Sequence, residues 1–459
     1  MKARAMEFQY LPDVNILEEK EDFLNFKEAA QRILAAIKNS RPPFTWGIYG
    51  DWGSGKTSLM RLIMNRMEGE LKKLNRKSSG PLGLNEESGP LHIPVWFDAW
   101  RYENEINIIY PLFHIIRDDF FRRCPREKAN QNFIKAFKTI AYTSLFSLSD
   151  LALRGLTKLT LDVEYSAEDI KKNLELIEKD LETVFSAWTD LITKLRAAFE
   201  SFVKQYIELY REKRSIPPER KLYLAIFIDD LDRCLPDIAI EILERIKNHL
   251  VSDSCIFILG INRNVVYKSI RKKYGDLDID GRQHLEKIIQ HSVGVPRPTR
   301  EALIKFGVES LKARVVSAGQ YDLKTYFDAF SQTLYDAEFT NPRKIKRIMN
   351  HYLNFIMSRV EIYKDIEDFN LHTVIRLIIL REYYQDFYDL FKEKGFEAFK
   401  IISGETTDQA AQFKTTCGGK WAYLIPRLEG MKKLAEMNPE KKTKNQYIEA
   451  IDELFGLED

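Results

Sequence analysis

"GIYGDWGSGKTSLMRLI" (residues 47–63) decides the fold. Its first residues close an apolar run, "FTWGIYG" (44–50), that reads as a buried strand. Gly50-Asp51-Trp52-Gly53-Ser54-Gly55-Lys56-Thr57 then fits the phosphate-binding pattern G-x-x-x-x-G-K-[ST]. "SLMRLIMNRMEGEL" follows and reads as a helix that opens at the loop. Strand, Gly-rich loop and helix, in that order, are the context the pattern requires. Given ordinary glycine usage, a chance match in a chain this long has odds of roughly a percent or two.

Such a loop works through geometry. Gly50, Gly53 and Gly55 let the backbone curl until successive N–H groups face one anion, and the helix adds its positive N-terminal end. The nucleotide-binding residues expected here are therefore Gly50, Asp51, Trp52, Gly53, Ser54, Gly55, Lys56, Thr57 and Ser58. Lys56 is expected to reach the β- and γ-phosphates, and the Thr57 hydroxyl to ligate Mg²⁺. The expected cofactors are ATP and Mg²⁺.

"KLYLAIFIDDLD" (221–232) is a second signal, a strand that is apolar until its carboxylates. A strand-terminal Asp in this setting holds Mg²⁺, and the next acid acts on the attacking water. Asp229 is assigned to the metal and Asp230 to the water; Asp232 fits either role, or a helix cap. Asn262, ending the apolar run "SCIFILGIN" (254–262), is a candidate γ-phosphate sensor, or a turn-forming Asn. Arg233, Arg263, Arg343 and Arg347 are each candidates to neutralise transition-state charge, against the alternative of an ion-paired surface Arg.

The remaining chain supplies the scaffold. "LHIPVWFDAW" (91–100) reads as another strand. Strands that are apolar on both faces and alternate with helices imply a parallel α/β sheet. "EDFLNFKEAAQRILAAIKNS" (21–40) is an amphipathic helix with Phe23, Phe26, Ala30, Ile33, Leu34 and Ile37 on one face, stopped by Pro42-Pro43. "NRKSSGPLGLNEESGP" (75–90) reads as an exposed loop. From Ser166 to Arg211 two apolar series run at sevenfold spacing, Ile170, Ile177, Val184, Leu191 and Leu174, Leu181, Trp188, Leu195, Phe202, Leu209. This is a heptad stripe, read as a packed hairpin arm, with an intermolecular coiled coil as the alternative. After about residue 300 the strand signals vanish and only helical patterns remain. The expected organisation is an α/β core over 1–123 and 220–299, a helical insertion over 124–219 and a helical lid over 300–459.

The totals exclude several classes. A formal charge of +2 gives no basic field for nucleic acid or membrane, though nucleic acid stays possible as a partner. The four cysteines lie far apart without metal spacing, which fits a reducing, cytoplasmic setting. The N-terminus lacks the apolar core of a signal peptide. "INIIYPLFHII" (106–116) and "TIAYTSLFSLS" (139–149) fall short of a membrane span and read as buried helix faces.

Six stretches in fixed order, "GIYGDWGSGKTSLM", "VWFDAWRYENE", "FIDDLDRCLPDIAIEILERIK", "IFILGINRNVV", "LEKIIQ" and "NPRKIKRIMN", resemble the KAP family of P-loop NTPases over most of residues 20–390. The resemblance implies an additional-strand P-loop fold related to AAA+ and STAND ATPases, with a helical C-terminal lid. It also implies a bacterial protein tied to phage exclusion or defence, encoded beside a partner effector. The function expected here is an ATPase that switches conformation or assembly and so controls a partner effector protein, a homo-oligomer, or both. The other reading is a nucleic-acid-associated motor or loader, which needs a basic groove; basic runs such as those at 271–273 and 341–347 are short and read equally as solvated faces. Many family members carry transmembrane helices between the two motifs, where this chain has charged, heptad-patterned helices. The family's usual Asp at the end of the fourth strand is Asn262 here.

Overall fold

A computed structural model describes residues 7–8, 22, 24–76, 89–105, 109–124, 193–274, 280–299, 301–302, 305–306, 308–309, 315–317, 323–336, 341–358 and 371–394. The heptad positions before residue 193, the loop core at 77–88, the apolar run at 139–149, Phe23 and the end of the lid after residue 394 lie outside them. The backbone falls into two compact units, one formed by the described residues of Met1–Phe26, Gly53–Gly55 and Pro296–Asp459, the other by those of Lys27–Trp52 and Lys56–Val295.

The larger unit is built on a five-stranded sheet of β2 (Phe44–Tyr49), β3 (Leu91–Asp98), β4 (Leu222–Asp229), β5 (Cys255–Ile261) and β6 (His291–Gly294). The spatial order is β3-β4-β5-β2-β6, every neighbouring pair parallel. β5 thus stands between the strand that leads into the phosphate loop and the strand that ends in Asp229, the additional-strand arrangement. β4 and β5 are buried along almost their whole length because helices cover both faces. Four strands follow the apolar runs of the sequence. β6 does not: "HSVG" is an edge strand, half-exposed and polar, with no hydrophobic signal.

α1 (Phe26–Lys38) buries Ala30, Ile33, Leu34 and Ile37 on the face that its periodicity marks out. α2 (Lys56–Arg76) begins at the loop lysine. α3 (Ile109–Arg123) buries Leu112, Phe113 and Ile116, as the apolar run at 106–116 requires. A helix over residues 193–214, α4, carries the last heptad positions. It turns Leu195, Phe199, Phe202, Val203 and Tyr206 inward, and Phe113 meets Phe199 and Phe202 edge-on at ring separations of 5.4 and 5.9 Å. That end of the stripe therefore packs within its own chain. α5 (Pro236–His249), α6 (Arg263–Tyr274) and the short α7 (Gly281–Glu286) complete the unit.

The other unit holds a two-stranded antiparallel ribbon, β1 (Glu7–Phe8) with β7 (Val315–Ser317). β7 corrects the expectation that strands cease after residue 300; three residues are too few to show a period. The remaining elements are helical: α8 (Leu323–Asp336), α9 (Pro342–Ser358), α10 (Leu371–Tyr383) and α11 (Gln385–Lys394). Asn341 opens α9, its side-chain oxygen accepting the Lys344 N–H at 3.2 Å, and Pro342 occupies the first turn. Ile345, Ile348 and Met349 of α9 are fully buried.

Candidate functional site

The carboxyl ends of β2, β3, β4 and β5 meet along one edge of the sheet, where ligands of open α/β folds bind. The loop after β2 has the required shape. Gly53 and Gly55 have φ of +73° and +99°, in the left-handed region that favours glycine. Gly50 N–H donates to the Ile261 carbonyl at 3.2 Å, which fixes the loop's start against β5. Thr57 lies in the first turn of α2, and Ser58 is buried behind it. Asp51 and Trp52 lie on the outside of the loop, Trp52 being 56% exposed. The buried Ser54 hydroxyl has no hydrogen-bond partner.

Lys56 is held by three acceptors. Its Nζ donates to the Gly50 carbonyl at 2.9 Å, the Asp51 carbonyl at 3.3 Å and Asp232 Oδ2 at 3.2 Å. Asp232 sits on a single 3₁₀ turn, Leu231–Arg233, directly after β4. Of its three roles left open by the sequence, the geometry gives it another, partner of the loop lysine across 176 positions of chain.

Asp229 ends β4 and is buried. The Thr57 hydroxyl and the Asp230 backbone N–H hydrogen-bond its carboxylate, yet burial outweighs them and pushes its pKa up. Asp229 Oδ1 has no hydrogen-bond partner. The space around it depends on Gly260 of β5: a Cβ there would lie 2.7 Å from Asp229 Oδ1 and 2.7 Å from Met60 Sδ. A hydroxyl and an orphaned carboxylate oxygen are hard ligands that suit Mg²⁺. Among the described residues no group of three or more His, Cys, Asp or Glu is placed to hold a metal.

Asp230 adopts a left-handed backbone, φ 57°, and turns its carboxylate to Arg233 Nε at 2.8 Å. Burial first, and then the negative charge of Asp229, push its pKa up to about 6. Arg233 in turn lies 5.3 Å from the centroid of the half-exposed Trp100 ring. Asn262 is buried at the end of β5, and its Oδ1 accepts the N–H groups of Asn264 at 3.1 Å and Val265 at 3.5 Å. Its oxygen thereby caps α6. Arg263 lies 4.0 Å above the Tyr49 ring.

Asp98 is the residue the sequence reading missed. It ends β3 in register with Asp229 on β4, and its Oδ1 is buried without a partner. Its signal was present: "VWFD" and "IFID" are both apolar runs that end in Asp. Nearby, the Arg61 guanidinium of α2 stacks 3.5 Å over Trp96, with its pKa lowered by burial and raised by Asp229 and Asp98.

In the other unit, Arg343 N–H donates to the Gly53 carbonyl at 3.4 Å. A Cβ on Gly53 would come within 2.6 Å of Arg343 Cβ and 2.8 Å of Asn341 Oδ1. Arg347 points elsewhere: its exposed guanidinium pairs with the largely buried Glu382 of α10, which His351 also approaches at 3.5 Å.

Among the described residues no helix is long and apolar enough to cross a membrane. The phage T7 exclusion protein of Escherichia coli strain K12 is 24% identical over 261 residues, which cover 55% of this chain and 30% of that protein. The chain thus spans less than a third of the length of that relative. Among solved structures, the Aeropyrum pernix ORC2 protein in ADPNP–ADP complexes is 11% identical, with a TM-score of 0.38 and 98% of each chain covered. The Aeropyrum pernix ORC1 protein in complex with DNA is 13% identical, with a TM-score of 0.34, covering 98% of this chain and 88% of that one. The sequence matches the model of the KAP family P-loop domain over residues 26–358. With the phosphate loop at the head of α2 and the paired acids at the end of β4, the chain belongs to the KAP family of P-loop NTPases.

Proposed function

We propose that the protein is a Mg²⁺-dependent ATPase whose turnover switches conformation or assembly, and so controls a partner effector in bacterial defence against phage. One observation carries the ATPase reading. Lys56 is buried at the head of a helix and is neutralised by two loop carbonyls and Asp232. A cation enclosed by a curled, N–H-rich loop is a phosphate receptor whose acceptors stand in for the anion.

On this reading the residues from Gly50 to Ser58 cradle the phosphates, and Lys56 draws charge from the β- and γ-phosphate oxygens. Thr57 and Asp229 would hold Mg²⁺, which when bound offsets charge on the phosphate oxygens. Asp230 and Asp232 are the carboxylates that remain to act on water. Asn262, beside the loop on β5, would sense the γ-phosphate through its amide nitrogen while its oxygen caps α6. Arg343 is the guanidinium assigned to the charge that develops on the γ-phosphate.

The defence role follows the phage exclusion relative and the family. The partner is a protein effector or a second copy of this chain.

ATP hydrolysis is measured with wild type and Lys56→Ala, with and without DNA. Turnover that Lys56→Ala abolishes and DNA leaves unchanged supports the switch. Stimulation of tenfold or more by DNA favours the loader instead, and equal turnover in both proteins sinks the ATPase reading.

A further inference from the structure

The side chains of Lys56 and Asp232 are 7% and 1% exposed, and their charged atoms lie 3.2 Å apart. A buried pair is stable only while each charge keeps its partner; the loss of one leaves the other uncompensated in a medium of low dielectric. Lys56 is also where phosphates land on the reading above, on which this inference rests. When phosphate oxygens take the ammonium, Asp232 loses its cation. Its other oxygen, Oδ1, is already buried without a hydrogen-bond partner. Asp229 and Asp230 close by add only like charge. The released carboxylate then requires a donor, and in a site filled by phosphate that donor is water.

Asp230 stands differently. Its carboxylate is partly exposed and bound to Arg233, and Arg233 lies against Trp100. Nothing in that arrangement depends on Lys56, so nucleotide does not release it.

We propose that Asp232, rather than Asp230, accepts the proton of the water that attacks the γ-phosphate, and that Lys56 keeps it occupied until ATP arrives. The water oxygen bonds to the γ-phosphorus as the bond to the bridging oxygen breaks. The electron pair leaves with ADP, and the water's proton passes to Asp232 and on to solvent. The carboxylate that acts on water is thus released only by an occupied loop.

The test compares Asp232→Asn, Asp230→Asn and wild type, each as the full chain. ATP affinity is measured by calorimetry in EDTA, where no turnover occurs, and single-turnover hydrolysis is measured with Mg²⁺. Asp232→Asn is expected to bind ATP as well as wild type, or up to about tenfold more tightly since the competing ion pair is gone. Its hydrolysis is expected to fall by about 100-fold or more, the scale of a lost general base. Asp230→Asn is expected to lose less than about tenfold. The assignment is overturned if Asp232→Asn hydrolyses within threefold of wild type, if it loses ATP binding together with hydrolysis, or if Asp230→Asn is the more damaged. A wild type that binds no ATP overturns the ATPase reading and this inference with it, whereas a wild type that turns over normally leaves only the inference at stake.

Discussion

The Tyr206 hydroxyl donates to Asp119 Oδ2 at 2.6 Å, joining α4 to α3 in the interior. Asp119 also receives Arg123 Nε at 2.7 Å, and Arg123 reaches Glu68 of α2 and the Pro94 carbonyl of β3 at 2.9 Å. Four elements are thus tied through two buried charges. Asp119→Ala leaves Arg123 and Tyr206 without that acceptor and is expected to cost about 3–5 kcal/mol, against about 1 kcal/mol for Tyr206→Phe. Urea denaturation checks both; equal losses would show that the charge pair adds nothing to the hydroxyl.

Lys56→Ala is expected to lower stability in the absence of nucleotide as well as to remove ATP binding, because Asp232 keeps its burial and loses its partner. Lys56→Ala/Asp232→Asn is expected to recover much of the loss. The coupling between the two sites is expected at about 1–3 kcal/mol in a double-mutant cycle followed by thermal unfolding. Strict additivity would mean that the pair is energetically idle.

Gly53→Ala meets two obstacles at once. Its φ of +73° is costly for any side chain, and a Cβ would run into Arg343 Cβ and Asn341 Oδ1. We expect a loss of about 1–3 kcal/mol and at least tenfold weaker ATP binding, whereas Gly69→Ala, which meets nothing within 4 Å, should be neutral or stabilising.

His92 contributes one limb of the pH dependence, opposed below about pH 6 by Asp230, whose raised pKa favours the folded state as pH falls. Burial, and then the charge of Lys38, depress the His92 pKa to about 3. The unfolded chain takes up this proton near pH 6.5 and the folded chain does not, so the unfolded state binds more protons throughout that window. Stability from this group is therefore intact above about pH 6.5 and falls as pH drops toward 3, by up to about 1.4 kcal/mol per pH unit. His92→Phe should flatten that limb in urea titrations from pH 7 to pH 4; an unchanged slope would show that His92 is not its source.

The two arginines of α9 should behave differently. Arg347→Ala removes the exposed partner of the largely buried Glu382, which His351 still approaches, and is expected to cost about 1–3 kcal/mol with nucleotide response intact. Arg343→Ala is expected to keep the fold but to abolish any change in particle size on adding a non-hydrolysable ATP analogue. Light scattering that shows the wild-type response in Arg343→Ala would return this residue to the ordinary surface.

The elements that sequence makes legible are those whose signal is local. β2, β3, β4 and β5 are apolar runs, and the loop before α2 is a fixed pattern of glycines, so their positions follow from neighbours in the chain. β6, β1 and β7 are short and take their form from pairing with distant partners, which no periodicity records. The same division holds at the site. Asp229 announces itself as the polar end of a buried strand. The bond between Asp232 and Lys56 spans 176 positions, and the pairing of Asp98 with Asp229 exists only once β3 lies beside β4. Asn262 is legible as a turn former, and its cap on α6 is the local part of its chemistry.

The strand order has a consequence for synthesis. β2 ends at Tyr49, but its two neighbours in the sheet begin at Cys255 and His291. As the chain leaves the ribosome, both edges of β2, with the apolar faces of Trp46 and Ile48, wait for partners made much later. Long-range parallel pairing of this kind is slow, and the unpaired strand is prone to misassociation meanwhile. A nascent chain stopped before β5 should therefore need chaperone protection and should hold no nucleotide, although its entire phosphate loop has already been translated.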